Sequence, residues 1–421
     1  MGASRLRKEI RSAWMGRAPA TFDPARPSVR LHEATYDDRE IAAVAECLVR
    51  TEVTMGPRVR RFEEEFARKF GYGHAVMVNS GSSANLLAVS ALANPLVPGR
   101  LKPGDEVIVP ALCWSTTVWP LVQHGLVPVV VDADPETLNI DPNEVERALG
   151  PRVRGILPVH IYGNPCDMGA LMRVVRRREL VLLEDACESL GASWRGKAVG
   201  SFGRAGTFSF YFSHHITTLE GGMVVTDDFE LAEALRVLRA HGWVREMKRP
   251  RRHLAAHPGI HPKFLFVNLG YNLRATEPQG AMGSLQLRRL DRFIRIRERN
   301  ALAWRRALGG LAGLFRFQRT TPEGRSSWFG FPMRVRPEAP FAARELMEFL
   351  AGRGIETRPL NAGNIALQPA LRHFRHRVVG DLRHATAVMR DGFTWGNHQG
   401  VDARARKYVA DTLREFVARR A

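Results

Sequence analysis

Residues 180–188 read Leu180-Val181-Leu182-Leu183-Glu184-Asp185-Ala186-Cys187-Glu188, a short apolar run that ends in acidic residues. Short, continuous apolar runs are typical of strands that are buried on both faces of a parallel sheet. Acids at the carboxyl end of such a strand fit the rule that open α/β sheets bind ligands at that edge. The stretch predicts a strand of an α/β fold with a ligand site at its end, although Asp185 alone would also suit a helix N-cap.

Similar apolar runs, separated by helix-length segments, extend from about residue 75 to residue 230. This alternation predicts a parallel sheet covered by helices on both faces. The other predicted strands are Ala75–Val78, Glu106–Val109, Val127–Val131, Gly155–Val159 and Met223–Thr226, and a helix is predicted at Glu230–His241.

The pattern divides the chain into three parts: an arginine-rich N-terminal arm (1–35), a large domain (36–284), and a connecting helix with a smaller α+β domain (285–421). The large domain is expected to begin with two helices, and the connecting helix is charged along its length. The segment between Arg245 and Lys263 is basic and aperiodic, so it is interpreted as a loop. Further predicted helices are Asp37–Val49, Val59–Phe70, Leu285–Leu308, Phe341–Arg353 and Ala403–Ala418.

The chain carries 62 Lys and Arg against 43 Asp and Glu, a net charge of +19. The basic residues are spread rather than clustered, which argues against nucleic-acid binding. A positive field that attracts a phosphorylated or nucleotide-linked substrate and a genome-wide arginine bias are the other two explanations. The four cysteines form no CxxC pair, so a metal cluster or a disulfide framework is not expected. With no secretory signal and no long apolar run, the sequence predicts a cytoplasmic enzyme.

Two further stretches suggest cofactor contacts. Asn79-Ser80-Gly81-Ser82-Ser83-Ala84-Asn85 lies between a strand and a helix, where small residues and a helix N-terminus can hold a phosphate. Trp114 follows the strand at Glu106–Val109, where its ring can stack on a planar cofactor. An ordinary turn and a core aromatic residue remain the alternatives for these two stretches.

The most informative stretch is Phe208-Ser209-Phe210-Tyr211-Phe212-Ser213-His214-His215-Ile216-Thr217-Thr218-Leu219-Glu220-Gly221-Gly222. Its paired histidines lack the spaced Cys, His or acidic partners of a zinc site, so no metal is predicted.

Taken in order, these segments resemble the DegT/DnrJ/EryC1/StrS-type family of pyridoxal-phosphate-dependent sugar aminotransferases and dehydratases, from about Tyr36 to the C-terminus. The resemblance implies a fold type I enzyme with a mixed, mostly parallel sheet in its large domain and a smaller C-terminal α+β domain. Most of that family has a Schiff-base lysine where this chain has His214, and the nearest lysines, Lys197 and Lys248, lie outside the motif. The histidine therefore implies a dehydratase, because an aminotransferase needs the lysine.

Further segments are similar to the branch that removes the 3-hydroxyl of GDP-4-keto-6-deoxymannose, which implies the colitose route to cell-surface glycans. A dehydratase or an aminotransferase that acts on a dTDP-, UDP- or CDP-linked sugar, in cell-surface glycan or secondary-metabolite biosynthesis, remains the alternative. The CDP branch carries an iron–sulfur cluster on cysteines beyond the histidine motif; this chain has no cysteine there, so no cluster is expected. The supporting segments are Arg239–Trp243, Gly270–Asn272, Ser327–Phe331 and Gly396–Gln399.

The resemblance also implies a role for each candidate residue. His214 would be the catalytic base, with the cofactor held non-covalently as pyridoxamine phosphate (PMP) or pyridoxal phosphate (PLP), and glutamate would restore PMP. Asn272 would reach the cofactor phosphate of a neighbouring subunit, which implies a homodimer; no nucleic-acid or membrane partner is expected. The other implied cofactor contacts are Gly81, Ser82, Trp114, Asp185, Glu188 and Ser209, and the implied substrate contacts are His241, Arg245 and Glu356.

Overall fold

A computed structural model describes residues 3–16 and 22–420. The described α-helices are α1 (Ala3–Met15), α2 (Asp38–Val49), α3 (Pro57–Phe70), α4 (Gly81–Leu92), α5 (Ser115–Gln123), α6 (Pro142–Ala148), α7 (Met168–Arg178), α8 (Phe229–Arg239), α9 (Arg251–Ala256), α10 (Glu277–Ala307), α11 (Ala343–Gly352), α12 (Arg383–Asp391) and α13 (Ala403–Ala418). Short 3-10 helices cover Ile161–Gly163, Val244–Glu246, Pro262–Phe264, Gly309–Leu311, Ile365–Leu367 and Pro369–His373.

The described strands are β1 (His74–Val78), β2 (Glu106–Pro110), β3 (Val127–Val131), β4 (Val153–Ile156), β5 (Val181–Asp185), β6 (Ser193–Trp194), β7 (Lys197–Ala198), β8 (Ala205–Ser209), β9 (Gly222–Thr226), β10 (Phe315–Phe317), β11 (Gly324–Arg325), β12 (Met333–Val335), β13 (Thr357–Pro359), β14 (Arg377–Val378) and β15 (Gly392–Trp395).

An eight-stranded sheet with the order β1-β9-β8-β5-β4-β2-β3-β14 forms the large domain. The pairs from β14 to β8 are parallel, and β9 runs antiparallel to both of its neighbours, β8 and β1. The predicted mixed, mostly parallel sheet is therefore confirmed. Because β5 runs parallel to its neighbours β4 and β8, its final residue, Asp185, lies at the edge of the sheet where the carboxyl ends of these strands meet.

Helices cover both faces of this sheet, which explains the continuous apolar runs. Val107 and Val109 of β2 pack in one core with residues of α4, whereas Ile108 between them packs in a second core with residues of α6 and α7. Alternate side chains of a strand point to opposite faces, so a strand between two helical layers needs apolar residues at every position. The whole of β2 and β3 is buried.

Local signals set the first helices of the large domain. Asp37 and Glu40 form a capping box at the start of α2, in which the Asp37 carboxylate accepts the Arg39 amide at 3.0 Å. Helix α3 begins at Pro57 and ends before Gly71, whose φ of +77° is the left-handed conformation that glycine adopts most readily.

The smaller domain contains a four-stranded antiparallel sheet with the order β10-β12-β15-β13. The end of α10 packs on it through Trp304, whose ring lies 5.3 Å from Phe331 and 5.5 Å from Trp395. Residues of α11 and α13 complete this core. A separate three-stranded sheet has the order β11-β6-β7.

Several elements differ from the sequence predictions. The arm contains helix α1, which packs on α2 and pairs Arg7 with Glu46 at 2.5 Å. Strand β4 ends at Ile156, so the strand predicted at Gly155–Val159 was placed too late. Strand β14 comes from the C-terminal part of the chain yet joins the large sheet beside β3. The predicted boundary at residues 284 and 285 falls inside α10, and the domain limits stay a prediction.

The segment predicted as a loop between Arg245 and Lys263 contains only the short helix α9, none of whose residues is buried, and 3-10 turns at its ends. In the described parts of the chain, no helix combines the length and the apolar character that crossing a membrane requires.

Candidate functional site

A cavity of about 510 Å³ lies at the carboxyl edge of the large sheet. It is lined from the large domain by the first turn of α4, the start of α5, the segment after β5 and the segment after β8, and from the smaller domain by β13 and residues near it. Sequence-predicted residues that meet in this cavity are Gly81, Ser82, Trp114, Asp185, Glu188, Ser209 and His214.

Asp185 is buried at the end of β5, where its carboxylate accepts three hydrogen bonds. Oδ2 accepts from Asn85 Nδ2 at 2.9 Å and from Thr117 Oγ1 at 2.8 Å, and Oδ1 accepts from the Cys187 amide at 3.1 Å. A buried carboxylate is tolerated only with such partners. Asn85 is itself fixed, because its Oδ1 accepts from Thr207 Oγ1 at 2.6 Å. The result is an oriented carboxylate on the cavity wall.

Glu188 follows Asp185 by three residues and is held by both domains. Its carboxylate accepts the Tyr162 amide at 2.9 Å and also accepts from Asn361 Nδ2 of the smaller domain. Burial raises the pKa of Glu188, while these two hydrogen bonds and the positive charge of Arg358 oppose the rise. Glu188 therefore lies between the sheet edge and the smaller domain.

The first turn of α4 forms a polar end of the cavity. Ser80 caps the helix by accepting the Ser83 amide at 3.0 Å, and Ser82 Oγ lies 3.0 Å from Thr116 Oγ1. Gly81 approaches Ser209 so closely that a Cβ on residue 81 would lie 2.5 Å from Ser209 Cβ. A helix N-terminus beside several hydroxyl groups suits an anion such as a phosphate.

Trp114 is the N-cap residue of α5 and follows β2 at the same edge of the sheet. Its side chain lines the cavity although 54% of it is exposed. A large indole surface that is not packed into a core is available for stacking on a planar ligand.

His214 lies beside the segment that follows β5. Its Nδ1 is 2.8 Å from the Cys187 carbonyl oxygen, and because a carbonyl only accepts, Nδ1 carries the proton and Nε2 keeps a free lone pair. Burial lowers the pKa of His214 to about 4; the hydrogen bond to the Cys187 carbonyl opposes this fall, and the positive charges of Arg297 and Arg358 add to it. The imidazole is therefore neutral at pH 7 and can accept a proton at Nε2.

The residues that line this cavity include no lysine. Lys197, one of the two lysines nearest in sequence to the histidine motif, lies on β7 and donates from Nζ to the Ser201 carbonyl at 2.8 Å. The described cavity thus offers no amine for a covalent bond to a ligand.

The two adjacent histidines point to different partners. His215 is fully buried, and its Nε2 donates to the Ser327 carbonyl at 3.0 Å. Among the described residues, no group of three or more His, Cys, Asp or Glu side chains is arranged to hold a metal ion.

The four remaining predicted residues do not line the cavity of the single chain. His241 and Arg245 both pack on Trp243, with the His241 ring 4.7 Å and the Arg245 guanidinium 3.6 Å from its ring centre. Asn272 accepts from Arg274 Nε at 3.0 Å, and Glu356 accepts the Leu31 amide at 2.7 Å. Their roles stay predictions.

The structure adds residues that the sequence predictions did not name as site residues. Asn85 and Thr117 hold Asp185. Asn85 ends the stretch Asn79–Asn85 that the sequence singled out, and Thr117 lies three residues after Trp114 in the first turn of α5. Their position near the start of a helix at the sheet edge was the available signal. Phe329 lies in the segment Ser327–Phe331, which supported the resemblance but was given no site role. Arg358 and Asn361 come from a distant part of the chain, and no local pattern marks them.

Comparison with known proteins identifies relatives along nearly the whole chain. The pattern of the DegT/DnrJ/EryC1/StrS aminotransferase family matches residues 34–414. The GDP-4-keto-6-deoxy-D-mannose 3-dehydratase of Yersinia pseudotuberculosis is 40% identical over 373 residues, which cover 88% of this chain and 94% of that protein. The dTDP-4-dehydro-2,6-dideoxy-D-glucose 3-dehydratase of Saccharopolyspora spinosa is 38% identical over 426 residues, covering 99% of this chain and 92% of the relative.

Solved structures show the same similarity. The Escherichia coli GDP-4-keto-6-deoxy-D-mannose-3-dehydratase with bound hydrated PLP superposes with a TM-score of 0.85 at 38% identity, covering 92% of this chain and 99% of that one.

Proposed function

The chain belongs to the DegT/DnrJ/EryC1/StrS aminotransferase family, and on that premise we propose that it is a PLP- and PMP-dependent 3-dehydratase of a nucleotide-linked 4-keto-6-deoxyhexose. The observation that carries this proposal is the neutral imidazole of His214 in a cavity whose lining has no lysine. The relatives named as 3-dehydratases at 38–40% identity support the reaction type.

The cavity fits PLP by its own geometry. The close approach of Gly81 to Ser209 leaves the α4 N-terminus open beside the Ser82 and Ser209 hydroxyls, which suits the phosphate. The Asp185 carboxylate suits the protonated ring nitrogen, and Trp114 suits the ring face. Glu188 would lie near the ring hydroxyl.

When bound, the cofactor would supply an electron sink and, in its amine form, an amino nitrogen for the sugar ketone. Asp185 would hold the ring nitrogen in its charged form. His214 accepts a proton at Nε2 from the reacting carbon and returns it to the departing C3 hydroxyl, a role that an imidazole performs without a covalent bond to the cofactor. The Cys187 carbonyl keeps Nε2 as the acceptor.

Arg358 provides positive charge at the cavity wall. Within the described residues its guanidinium is in no ion pair, while it lowers the pKa of His214 and that of Glu188. An unpaired guanidinium beside the reaction site favours anionic reactants, such as glutamate, which we propose restores PMP, and a nucleotide diphosphate.

We propose GDP-4-keto-6-deoxymannose as the substrate, within the colitose route and without an iron–sulfur cluster. The dTDP-linked sugar is the second candidate, because the Saccharopolyspora spinosa relative covers 99% of this chain and so includes the N-terminal arm. We also propose that the protein is a cytoplasmic homodimer in which Asn272 reaches the cofactor phosphate of the neighbouring subunit. His241, Arg245 and Glu356 would bind the substrate or glutamate.

The deciding experiment incubates purified protein with PMP, glutamate and either GDP-4-keto-6-deoxymannose or its dTDP-, UDP- and CDP-linked counterparts. Replacing the C3 hydroxyl by hydrogen lowers the sugar mass by one oxygen atom, while glutamate becomes 2-oxoglutarate and ammonia is released. The substrate that reacts fastest identifies the nucleotide. A product that carries a new amino group at C4 would show an aminotransferase instead.

A further inference from the structure

His215 is the residue next to the proposed base, yet it lies outside the cavity and has no role in the proposed reaction. It is fully buried, its Nε2 donates to the Ser327 carbonyl at 3.0 Å, and its Nδ1 has no hydrogen-bond partner among the described residues. Because the His215 ring is buried and fixed, its hydrogen bond orients the turn that contains Ser327.

That turn, residues 327–329, has a strained backbone. Trp328 has a φ of +50°, the left-handed region that an aromatic residue rarely adopts. Such a conformation persists only where the surroundings fix it on both sides. On the side of the large domain, the turn is held by the Ser327 amide to Gly163 O at 2.9 Å, the Phe329 amide to Tyr162 O at 3.0 Å, and the bond from His215. Trp328 itself donates its amide to Ser326 Oγ at 3.1 Å and accepts Asn397 Nδ2 at its carbonyl at 3.1 Å.

The turn ends in Phe329, whose ring contacts both histidines. Its centre lies 4.9 Å from the His214 ring and 5.7 Å from the His215 ring, and the side chain lines the cavity. Arg297 donates to the Phe329 carbonyl at 2.9 Å from the opposite side. The aromatic ring is therefore packed against the imidazole that the proposed reaction uses.

We propose that His215 is a positioning residue that, through the Ser327 carbonyl, keeps the Phe329 ring against His214 and so limits the access of water to the base. The inference rests on the proposed function only for the statement that His214 moves protons. The contacts themselves are independent of any substrate.

The charged groups around His214 decide how a displacement of Phe329 would change the pKa of His214. Arg297 from α10 and Arg358 from β13 lower the pKa of His214, and the acids Asp185 and Glu188 lie on the sheet side of the same cavity. None of these side chains is bonded to His215. Moving the Phe329 ring therefore exposes His214 to water, and hydration raises the pKa of a buried histidine towards its ordinary value. Arg297 is bonded to the Phe329 carbonyl, and any retreat of its positive charge from His214 raises the pKa in the same direction.

The test uses His215→Leu, which lacks the donor, and His215→Gln, whose amide can still reach the Ser327 carbonyl. The first measurement is an NMR titration of the histidine side chains in the cofactor-free protein, with the His214 signal assigned by its loss in His214→Gln. We expect the His214 pKa to rise by about one unit in His215→Leu. It should stay near the wild-type value in His215→Gln.

The second measurement separates positioning from folding. In the holoenzyme, His215→Leu should lower kcat about tenfold with an unchanged KM, since misplacement affects the chemical step. His215→Gln should recover most of that loss. The double variant with Phe329→Leu should be no slower than Phe329→Leu alone, because both changes would act on one contact.

An unchanged His214 pKa in a folded His215→Leu protein would overturn the inference, as would multiplicative losses in the double variant. If the wild-type enzyme reacts with none of the nucleotide sugars, the proposed function fails while the titration still tests the contact.

Discussion

His214 and Asp185 are joined through the backbone of a single residue, Cys187. The Cys187 amide donates to Asp185 Oδ1 at 3.1 Å, and the Cys187 carbonyl accepts from His214 Nδ1 at 2.8 Å. One peptide segment after β5 thus fixes the carboxylate that suits a charged ring nitrogen and the imidazole that suits proton transfer. Because the links are main-chain groups, the spacing of the two functions depends on the fold rather than on a side chain.

Replacing His214 by lysine tests why a histidine stands at this position. The amine of His214→Lys can bond covalently to PLP, which an imidazole cannot do in a stable form. We expect the purified variant to gain the absorbance of covalently bound PLP and to dehydrate its substrate at least about 100-fold more slowly. Absorbance spectra before and after borohydride reduction, with a dehydration assay, check both points. Efficient dehydration by the lysine variant would contradict the assigned role.

The charge on Asp185 is tested by Asp185→Asn. An amide carries no charge and cannot balance a protonated ring nitrogen. Asn85 and Thr117 both donate to the same carboxylate oxygen, so the amide of the variant can accept from them only through its oxygen, and its NH2 group would face them in the other orientation. We expect the affinity for PLP, measured by fluorescence titration, to fall about 100-fold or more.

Thr117→Val is the matched control for the Asp185 variant, because it removes one hydrogen bond but keeps the charge. Its loss of affinity should be about tenfold at most. Equal losses in the two variants would mean that packing, not charge, explains the role of Asp185.

The sequence predicted more of the sheet edge than of the opposite cavity wall. The apolar run before Asp185 and the small residues around Gly81 are local signals, since burial between two layers and a helix N-terminus each impose a composition. Arg358 and Asn361 reach the cavity only because the smaller domain packs against the sheet, and short-range patterns do not encode that packing. Strand β8 was missed because Ala205-Gly206-Thr207-Phe208-Ser209 has too little apolar character.

Helix α4 and strand β8 approach each other closely at Gly81, so Gly81→Ala should destabilise the protein. The added methyl group would lie 2.5 Å from Ser209 Cβ and 2.7 Å from Ser209 Oγ, so one of the two segments must move. We expect a loss of about 1–3 kcal/mol in the free energy of unfolding and weaker binding of PLP. Gly150→Ala serves as control, because a Cβ there meets no atom within 4 Å. Its unfolding free energy should stay within about 0.5 kcal/mol of the wild type.

Buried neutral histidines predict how stability depends on pH, and His398 gives the clearest case. Its Nε2 donates to the Arg30 carbonyl at 3.0 Å, and its Nδ1 accepts the Gly400 amide at 3.2 Å, so both nitrogens are used in the neutral form. Burial lowers the pKa of His398 to about 4, from an ordinary value of 6.5. Between these two values the unfolded chain binds the proton and the folded chain does not.

The sign follows from that difference in bound protons. The contribution of His398 is fully present above about pH 6.5 and is lost as the pH falls towards 4, by about 1 kcal/mol for each pH unit. Urea unfolding at pH 7, 6 and 5 should show this fall, and His398→Gln should reduce its slope, because glutamine does not titrate. His214 and His215, whose pKa values are also lowered by burial, would maintain the remaining slope. A wild-type stability that rises on acidification from pH 7 to pH 5 would contradict the assignment of His398 as a buried neutral group.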